Sequence, residues 1–365
     1  MNARQHRSRR QGRRRRRGRA LPVWPLVGLA LAAAAMAVLA GRRRGDAGGE
    51  GDDETWPSRR QGPDAAGEAA WRQGAAARET AGSAAAAAGE PAEPAEPAEL
   101  EAPEQSWIAG PAGNLFVRDS GETAGGRLPV LFVHSLAGNG GQWALQLDHL
   151  RRHRRALALD LRGHGDSDPA EDGDYDVAAL AADVAAVADH FVLRHFVLAG
   201  HSLGAAVAIA YAAAHPERVA GLLLADPNGD QTRIPREQIQ PFLEALRTDP
   251  LRELEGYFRQ LAAGGDRDAA RWVLDDLRLT DEDAIAAAVA AAVEFAPLPA
   301  LARYGGPRLA VISDANSLPY SLHNLLPELP VQLLRGTGHW LMMDRPELFN
   351  HILDGFLDQV EGPRD

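Results

Sequence analysis

The segment Phe196–Gly204 constrains the fold of this chain more than any other. It is an apolar run that ends in Gly-His-Ser-Leu-Gly, and an alanine-rich stretch, 205–210, follows it directly. This order predicts a strand, a tight turn and a helix, with the hydroxyl of Ser202 raised at the turn. Gly200 and Gly204 suit such a turn, because side chains there would collide with the neighbouring helix and strand. The pattern therefore predicts that Ser202 is a nucleophile.

Apolar runs and amphipathic stretches alternate on both sides of this segment. After an opening hairpin at 107–119, strands are predicted at 129–134, 156–160, 195–199, 219–225, 308–312 and 331–334. Helices are predicted between and after them, at 141–151, 177–193, 320–326 and 346–360. Strands separated by helices indicate an α/β fold with a mostly parallel, doubly wound sheet of eight strands. Residues 227–304 carry several amphipathic helices and no clear strand, which predicts a helical cap over the sheet.

The residues that follow the strands are the candidates for chemistry, because ligands bind at the carboxyl ends of the strands in such a sheet. The loop 134–140 contains glycines that let backbone N–H groups approach a substrate oxygen. We predict an oxyanion hole made by the N–H groups of Leu136 and Leu203. His339 follows the last strand and is the predicted general base for Ser202.

The carboxylate that should orient His339 has two candidates. Asp314 lies in the loop after the strand at 308–312, and Asp226 ends the strand at 219–225. Either aspartate could instead cap a helix or hold a turn. We predict Asp314 as the acid, with Asp226 as its rival.

The turn Asp160–Ser167 combines histidine, aspartate and glycine, which are residues also found in metal sites. It lacks a pair of histidines four residues apart and any further cluster of ligands. We interpret it as a structural turn whose polar side chains bond to the loop backbone. The chain has no cysteine, which excludes disulfides, thiolate metal sites and a cysteine nucleophile. We predict no metal and no cofactor.

Together these motifs resemble the α/β-hydrolase fold family, over residues 107–361. The motifs that carry the resemblance are His134–Ser135, Asp160–Ser167, Gly200–Gly204 and Gly338–His339. The resemblance implies a serine hydrolase of the esterase, lipase or acyl hydrolase type, with 227–304 as the family's cap. The family commonly carries its acid in Gly-x-x-Asp after the seventh strand, and Asn316 stands at that position here. Members with an aspartate nucleophile, such as haloalkane dehalogenases and epoxide hydrolases, are poor matches because position 202 is serine.

The N-terminal part of the chain has a different character. Residues 1–19 are a basic flank, 20–41 are uncharged and long enough to cross a membrane once, and 42–106 are a linker rich in Ala, Gly, Pro and Glu. We predict an uncleaved signal anchor that places the hydrolase domain, 107–361, outside the cytoplasm. The alternatives are a cleaved signal that yields a secreted protein, and a misassigned start that yields a cytoplasmic one.

Charge bears on the choice of partners. The first 45 residues hold thirteen arginines and no acid, which leaves 26 basic and 50 acidic residues in the rest of the chain. An acidic body of this kind is a poor partner for nucleic acid. We predict a small-molecule ester as the substrate and a membrane contact through the N-terminal segment, and the sequence leaves the oligomeric state open.

The predicted function is a serine esterase that forms an acyl-enzyme on Ser202. Aliphatic residues of the predicted cap, at 239–246 and 284–295, favour a small or medium apolar substrate. One alternative is hydrolysis of a carbon–carbon bond, or acyl transfer, by the same residues. Another is a membrane-tethered binding domain that keeps the fold and lacks catalysis, for which the Asn316 mismatch is the main support.

Overall fold

The computed structural model describes residues 103–123 and 126–362. Its strands are β1 (Glu104–Gly110), β2 (Gly113–Asp119), β3 (Val130–Val133), β4 (Ala156–Leu159), β5 (Phe196–His201), β6 (Val219–Ala225), β7 (Arg308–Ile312) and β8 (Val331–Leu333). They form one sheet in the order β1-β2-β4-β3-β5-β6-β7-β8. β1 and β2 pair antiparallel, as do β2 and β4, and all other neighbours pair parallel. The predicted mostly parallel sheet of eight strands is confirmed.

Eleven α-helices accompany the sheet within the described residues. They are α1 (Ala144–Leu150), α2 (Val177–His190), α3 (Leu203–Ala214), α4 (Arg236–Leu246), α5 (Pro250–Leu261), α6 (Arg267–Leu279), α7 (Glu282–Glu294), α8 (Pro297–Leu301), α9 (Leu322–Leu325), α10 (Leu341–Asp344) and α11 (Pro346–Glu361). A 3₁₀ helix at Gly140–Trp143 leads into α1, and a second one at Gln231–Arg233 follows β6.

Helices cover both faces of the sheet. Successive side chains of a strand point to opposite faces, so Phe132 and Leu131 of β3 enter separate hydrophobic clusters. The cluster with Leu131 includes the buried faces of α2 and α3, and the cluster with Phe132 includes those of α1 and α11. Burial on both faces makes the central strands continuously apolar and fixes the positions of the loops at their ends.

The helices α4 to α8 lie between β6 and β7 in the sequence, where the cap is predicted. Three of them begin at an aspartate whose side chain accepts backbone N–H groups of the first turn: Asp249 for α5, Asp266 for α6 and Asp281 for α7. Such N-caps satisfy donors that have no partner inside the helix. Apolar residues of α5 and α6, including Phe258 and Trp272, join the same cluster as Phe132, so the cap packs onto the sheet domain.

The first strand begins slightly earlier in the sequence than predicted. β1 begins at Glu104, which pairs with Asp119, so the hairpin includes residues 104–106 that were predicted to be linker. The predicted membrane segment, 20–41, and the linker up to 102 lie outside the described residues. Within residues 103–123 and 126–362, no helix is long and apolar enough to span a bilayer.

Candidate active site

Ser202 lies at the tight turn between β5 and α3. Its backbone has φ 54° and ψ −112°, a conformation that L-residues rarely adopt. A side chain on Gly200 would collide with the backbone of Gly204, and one on Gly204 would collide with the carbonyl of His134. The two glycines therefore let the strand, the turn and the helix approach closely, and Ser202 stands at the carboxyl end of the central strand.

His339 and Asp226 form a close pair beside this turn. The Nδ1 atom of His339 lies 2.6 Å from Oδ2 of Asp226. Asp226 follows β6, has a φ of 38° and contacts the loop after β7. There it also accepts the N–H of Ser313 at 2.8 Å and the Ser313 hydroxyl at 3.0 Å. The buried carboxylate is thus held by several donors, and the other ring nitrogen of His339 remains available as a base.

The predicted pairing of Asp314 with His339 is wrong. The Asp314 side chain is 44% exposed, and it accepts the N–H of Gly336 at 3.2 Å and a guanidinium N–H of Arg335 at 3.4 Å. Asp226, the rival candidate, occupies the place behind the imidazole. At the end of β6, Asp226 lies within reach of the imidazole, whereas the loop after β7 directs Asp314 to Gly336 and Arg335 at the surface.

Asn316, in the loop after β7, contacts the carboxylate of Asp226. Its Nδ2 donates to Oδ1 of Asp226 at 3.1 Å and to the carbonyl of Pro227 at 3.1 Å. The amide therefore stands where the family commonly has a carboxylate, and it supports the carboxylate supplied by β6. In the sequence, the mismatch at Asn316 did not decide between Asp226 and Asp314.

The predicted oxyanion-hole residues line the same pocket as Ser202 and His339. Leu203 is the first residue of α3, so its N–H has no acceptor within the helix. Leu136 lies in the loop after β3, next to Ala137 with φ 52°. No described residue outside α3 accepts the N–H of either leucine. Two free N–H groups beside a serine can bind the oxygen of a reacting carbonyl.

The Ser202 hydroxyl donates to Oδ1 of Asn228 at 3.2 Å. It therefore has to rotate before it can donate to the imidazole of His339. Catalytic hydrogen bonds often form fully only when substrate is bound, so this arrangement is compatible with a resting site. Asn228, two residues after Asp226, was not among the site residues predicted from the sequence.

The pocket encloses about 600 Å³ of space, its open mouth included. The turn at Ser202 and the loops at Leu136 and His339 form one side. Most of the other lining residues come from the cap and are apolar, among them Phe242, Leu254, Phe258, Val289 and Val293. Tyr257, Gln231 and Asn228 add a few polar groups. The pocket therefore presents a hydrophobic surface to whatever reaches Ser202.

Contacts from the cap hold the loop that carries His339. The N–H of His339 donates to the carbonyl of Leu261, the last residue of α5, at 2.8 Å. Asp344 accepts the N–H of Gly338 at 2.7 Å and that of Asp266, the N-cap of α6, at 2.8 Å. Burial raises the pKa of Asp344 to about 6. The loop with His339 is thus bonded to two helices of the cap.

Two other histidines of the sequence motifs have structural positions. His134 donates from Nδ1 to the Ser135 carbonyl at 2.7 Å and accepts the N–H of Leu161 at Nε2, at 2.9 Å, so its ring is neutral. His201 donates from Nε2 to the His339 carbonyl at 2.9 Å. Burial lowers the pKa of both imidazoles well below 6.5. Both rings brace loops of the site.

The turn Asp160–Ser167 has the structural role predicted for it. Asp160 is fully buried and accepts a guanidinium N–H of Arg118 at 2.8 Å, the N–H of Gly140 at 2.6 Å and the N–H of Asp166 at 3.0 Å. These bonds leave Asp160 committed to the loop backbone and to one arginine, and they tie the loop after β3 to the end of β4.

A different group of residues could hold a metal ion. Among the described residues, the ligand atoms of His149, His153 and Asp354 all lie within 4.8 Å of one another. In the present structure His149 Nε2 pairs with Asp354 Oδ2 at 2.8 Å. None of the three lines the pocket with Ser202. In the sequence, a metal site was considered only at the Asp160–Ser167 turn, so this pair of histidines four residues apart was missed.

Comparisons with known proteins identify the family to which the fold belongs. The sequence pattern of the alpha/beta hydrolase fold family matches residues 129–346. A dihydrolipoyllysine-residue acetyltransferase component of the acetoin cleaving system from Pseudomonas putida is 31% identical over 250 residues, 64% of each chain. The protein from Cupriavidus necator with the same description is 29% identical, over 63% of each chain. The chain thus spans less than two thirds of the length of these relatives.

Solved structures share the fold over nearly their full length. A thermophilic esterase from Thermogutta terrifontis superposes with a TM-score of 0.59 at 24% identity, over 71% of this chain and 100% of that one. An enol-lactonase from Burkholderia xenovorans LB400 gives 0.60 at 23% identity, over 69% and 99%. The chain belongs to the alpha/beta hydrolase fold family. Hydrolase and acetyltransferase descriptions both occur among its relatives.

Proposed function

We propose that this enzyme is a serine hydrolase that cleaves carboxylic esters through an acyl-enzyme. The observation that carries the proposal is the 2.6 Å pair between His339 and Asp226, in the same pocket as the strained serine Ser202. A histidine without a catalytic role has no reason to pair with a buried carboxylate beside a serine at such a turn. Together the three residues form the base, the orienting acid and the nucleophile that acyl transfer requires.

The steps follow from the contacts. Asp226 holds Nδ1–H of His339, so Nε2 faces outward as an acceptor. The Ser202 hydroxyl leaves Asn228, gives its proton to Nε2 and attacks the carbonyl carbon. Asp226 stabilises the imidazolium that forms, and the N–H groups of Leu136 and Leu203 hold the oxyanion. His339 then protonates the leaving alcohol, and a water activated by His339 releases the acid.

The cap supports an apolar substrate. Its residues at the pocket, such as Phe242, Leu254 and Val293, offer surface for an alkyl or aryl group and no charge. About 25 cal/mol is gained for each Å² of apolar surface removed from water, so longer acyl chains bind better until the pocket is filled. We therefore propose an ester of a small or medium apolar acid.

Acyl transfer is the second candidate. The Pseudomonas putida relative is described as an acetyltransferase component, and an acyl-enzyme on Ser202 would serve either reaction. The two differ in whether water or another nucleophile removes the acyl group. The inactive binding domain loses its main support, because Asp226 supplies the carboxylate that Asn316 lacks.

The test uses the full chain and its Ser202→Ala variant. A fluorophosphonate probe should label the wild type and leave Ser202→Ala unlabelled, and esters with acyl chains of two to ten carbons should be hydrolysed fastest at short or medium length. Ser317→Ala, at an exposed position, is the matched control and should behave as the wild type does. An unlabelled wild type that turns over no ester contradicts the proposal. A product in which an added alcohol or thiol carries the acyl group would identify acyl transfer.

We also propose that residues 20–41 anchor the enzyme in a membrane, with the enzyme domain outside the cytoplasm. The proposal is supported by the uncharged stretch and by its arginine-rich flanks. Fractionation of cells should place the full chain with the membranes and a chain lacking residues 1–45 in a soluble fraction. Added protease should reach the domain from the extracytoplasmic side only, and recovery of the full chain from the cytosol would contradict the anchor.

A further inference from the structure

A buried carboxylate of the cap contacts the loop of the predicted oxyanion hole. Asp276 lies on α6 and is only 3% exposed. Its Oδ1 accepts Nδ2 of Asn139 at 3.0 Å, and its Oδ2 accepts Nε2 of Gln142 at 3.2 Å. Burial of a polar side chain costs free energy unless it is hydrogen-bonded, and here two amides from one short loop donate to the two oxygens of Asp276.

Both amides are bonded at their other ends to the loop itself. Oδ1 of Asn139 accepts the N–H of Gly141 at 2.8 Å and so caps the 3₁₀ helix. Oε1 of Gln142 accepts the Ser135 hydroxyl at 3.2 Å. The loop between these anchors carries Leu136, whose N–H is half of the oxyanion hole. Asp276 therefore fixes which way both amides face.

The loop is held from the opposite side by the sheet. Asp160, at the end of β4, accepts the N–H of Gly140 at 2.6 Å. The loop thus lies between one carboxylate of the sheet domain, Asp160, and one of the cap, Asp276. There is no room beside Gln142 for a side chain at Gly138, whose Cβ would collide with the Gln142 amide. Loss of one of the two carboxylates would let this closely packed segment shift.

We propose that Asp276 is a positioning residue that holds the loop 135–142 so that the Leu136 N–H points at the oxygen of a carbonyl bound at Ser202. The inference rests on the proposed acyl chemistry of Ser202. It makes the cap part of the catalytic framework, because a residue of α6 sets the position of a hydrogen-bond donor that acts on the substrate.

The first experiment compares Asp276→Ala and Asp276→Asn with the wild type in steady-state hydrolysis and in the rate of fluorophosphonate labelling. A donor displaced by about 1 Å costs roughly 100-fold, so kcat of Asp276→Ala should fall about 10- to 100-fold with KM changed by less than about threefold. Asp276→Asn keeps one acceptor oxygen and should lose less. Asp275→Asn, the exposed neighbour on α6 that pairs with Arg278, is the control and should match the wild type within about twofold.

A double-mutant cycle tests the route of the effect. If Asp276 acts through Asn139, then Asn139→Ala should lower kcat, and adding Asp276→Ala should cost much less than it does in the wild type. Asn139→Ala removes the same hydrogen bond by changing the residue of the loop, so the contact can still be tested if Asp276→Ala fails to fold. Fully additive losses, or unchanged kcat in both Asp276 variants, would overturn the proposal.

Amide hydrogen exchange separates this proposal from the proposed function. Residues 135–143 should exchange faster in Asp276→Ala than in the wild type, at least about tenfold, while the turn at Ser202 keeps its protection. If the wild type neither labels nor hydrolyses esters, the proposed function fails, and exchange alone then decides whether Asp276 holds the loop. Unchanged exchange in residues 135–143 would overturn the positioning role in either case.

Discussion

Asn316 donates a hydrogen bond of 3.1 Å to Asp226, the carboxylate that lies 2.6 Å from His339. The loop after β7 thus provides an amide, and the end of β6 provides the negative charge. Two neighbouring strands therefore share the support of His339: β6 ends in the charged group, and the loop after β7 donates a hydrogen bond to that group. We therefore expect that removing the Asp226 carboxylate impairs His339 as a base, and that removing the nearby Asp314 carboxylate does not.

Asp226→Asn should lower kcat by about 10³- to 10⁴-fold, because an amide cannot stabilise the imidazolium and favours the wrong tautomer of His339. Asp314→Asn is the matched variant at the exposed candidate and should stay within about threefold of the wild type. Both are measured as kcat on the best ester of the panel. Equal losses in the two variants would show that Asp226 does not act alone behind His339.

Asn316→Asp should impair the enzyme even though it restores the residue common in the family. It replaces a donor to Asp226 with a second negative charge at about the same distance, and like charges at close range repel. We expect a loss of about 1–3 kcal/mol in the free energy of unfolding at pH 7, measured by urea denaturation, together with lower kcat. Asn316→Ala removes the donor without the charge and should lose less. A variant as stable and active as the wild type would contradict this account of Asn316.

Asn228→Ala should speed the first chemical step modestly. In the resting site Oδ1 of Asn228 accepts a hydrogen bond from the Ser202 hydroxyl, and a hydrogen bond of this kind contributes about 1 kcal/mol. Its removal frees the hydroxyl to turn to His339, so fluorophosphonate labelling should accelerate roughly fivefold. Asn228→Asp offers a stronger acceptor and should slow labelling. Labelling that slows in Asn228→Ala would instead show that Asn228 helps the reaction.

The pH dependence of stability should reveal the burial of Asp276. Burial raises its pKa to about 8, with Asp160 acting in the same direction and the Gln142 amide and Arg118 opposing. Between the unfolded value of about 4 and pH 8 the native state binds more protons at this site than the unfolded state does. Stability therefore falls as pH rises through that range, by up to about 1.4 kcal/mol per pH unit, and the loss is complete above about pH 8.

Urea denaturation of the wild type and Asp276→Asn at pH 5, 6.5, 8 and 9 measures this effect. The free energy of unfolding of the wild type should fall relative to that of Asp276→Asn up to about pH 8, and the difference should then stay constant. Asp275→Asn should run parallel to the wild type at every pH. A constant difference between the wild type and Asp276→Asn from pH 5 to 8 would mean that Asp276 is ionised throughout.

Local sequence patterns were sufficient for the parts of the site that one loop supplies. Gly200 and Gly204 predict the turn at Ser202. Side chains at these two positions would collide with the turn itself or with the end of the adjacent strand. His339 could be chosen because it follows the last strand directly. The alternation of apolar runs likewise predicted the sheet, since each buried strand must be apolar on both faces.

Local patterns could not identify the carboxylate that pairs with His339. Asp226 and Asp314 both follow strands, and the choice between them depends on which side chain reaches His339. Asp226 does so from a φ of 38° and across a separation of 113 residues. An aspartate at positive φ cannot be read from its neighbours in the sequence. Asp276 was missed for a related reason: its partner Asn139 is 137 residues away, and a buried aspartate on an amphipathic helix looks like a residue of the solvent-exposed face.

The hydrogen bond from His339 to the carbonyl of Leu261 has a consequence for how substrate enters. A lid that swung away as a rigid body would pull on the backbone of the general base and disturb the imidazole it is meant to uncover. We therefore expect substrate to enter and leave through the existing mouth of the pocket, widened by movements of side chains. Transplanting the cap of another family member onto this sheet would for the same reason alter turnover as well as substrate preference.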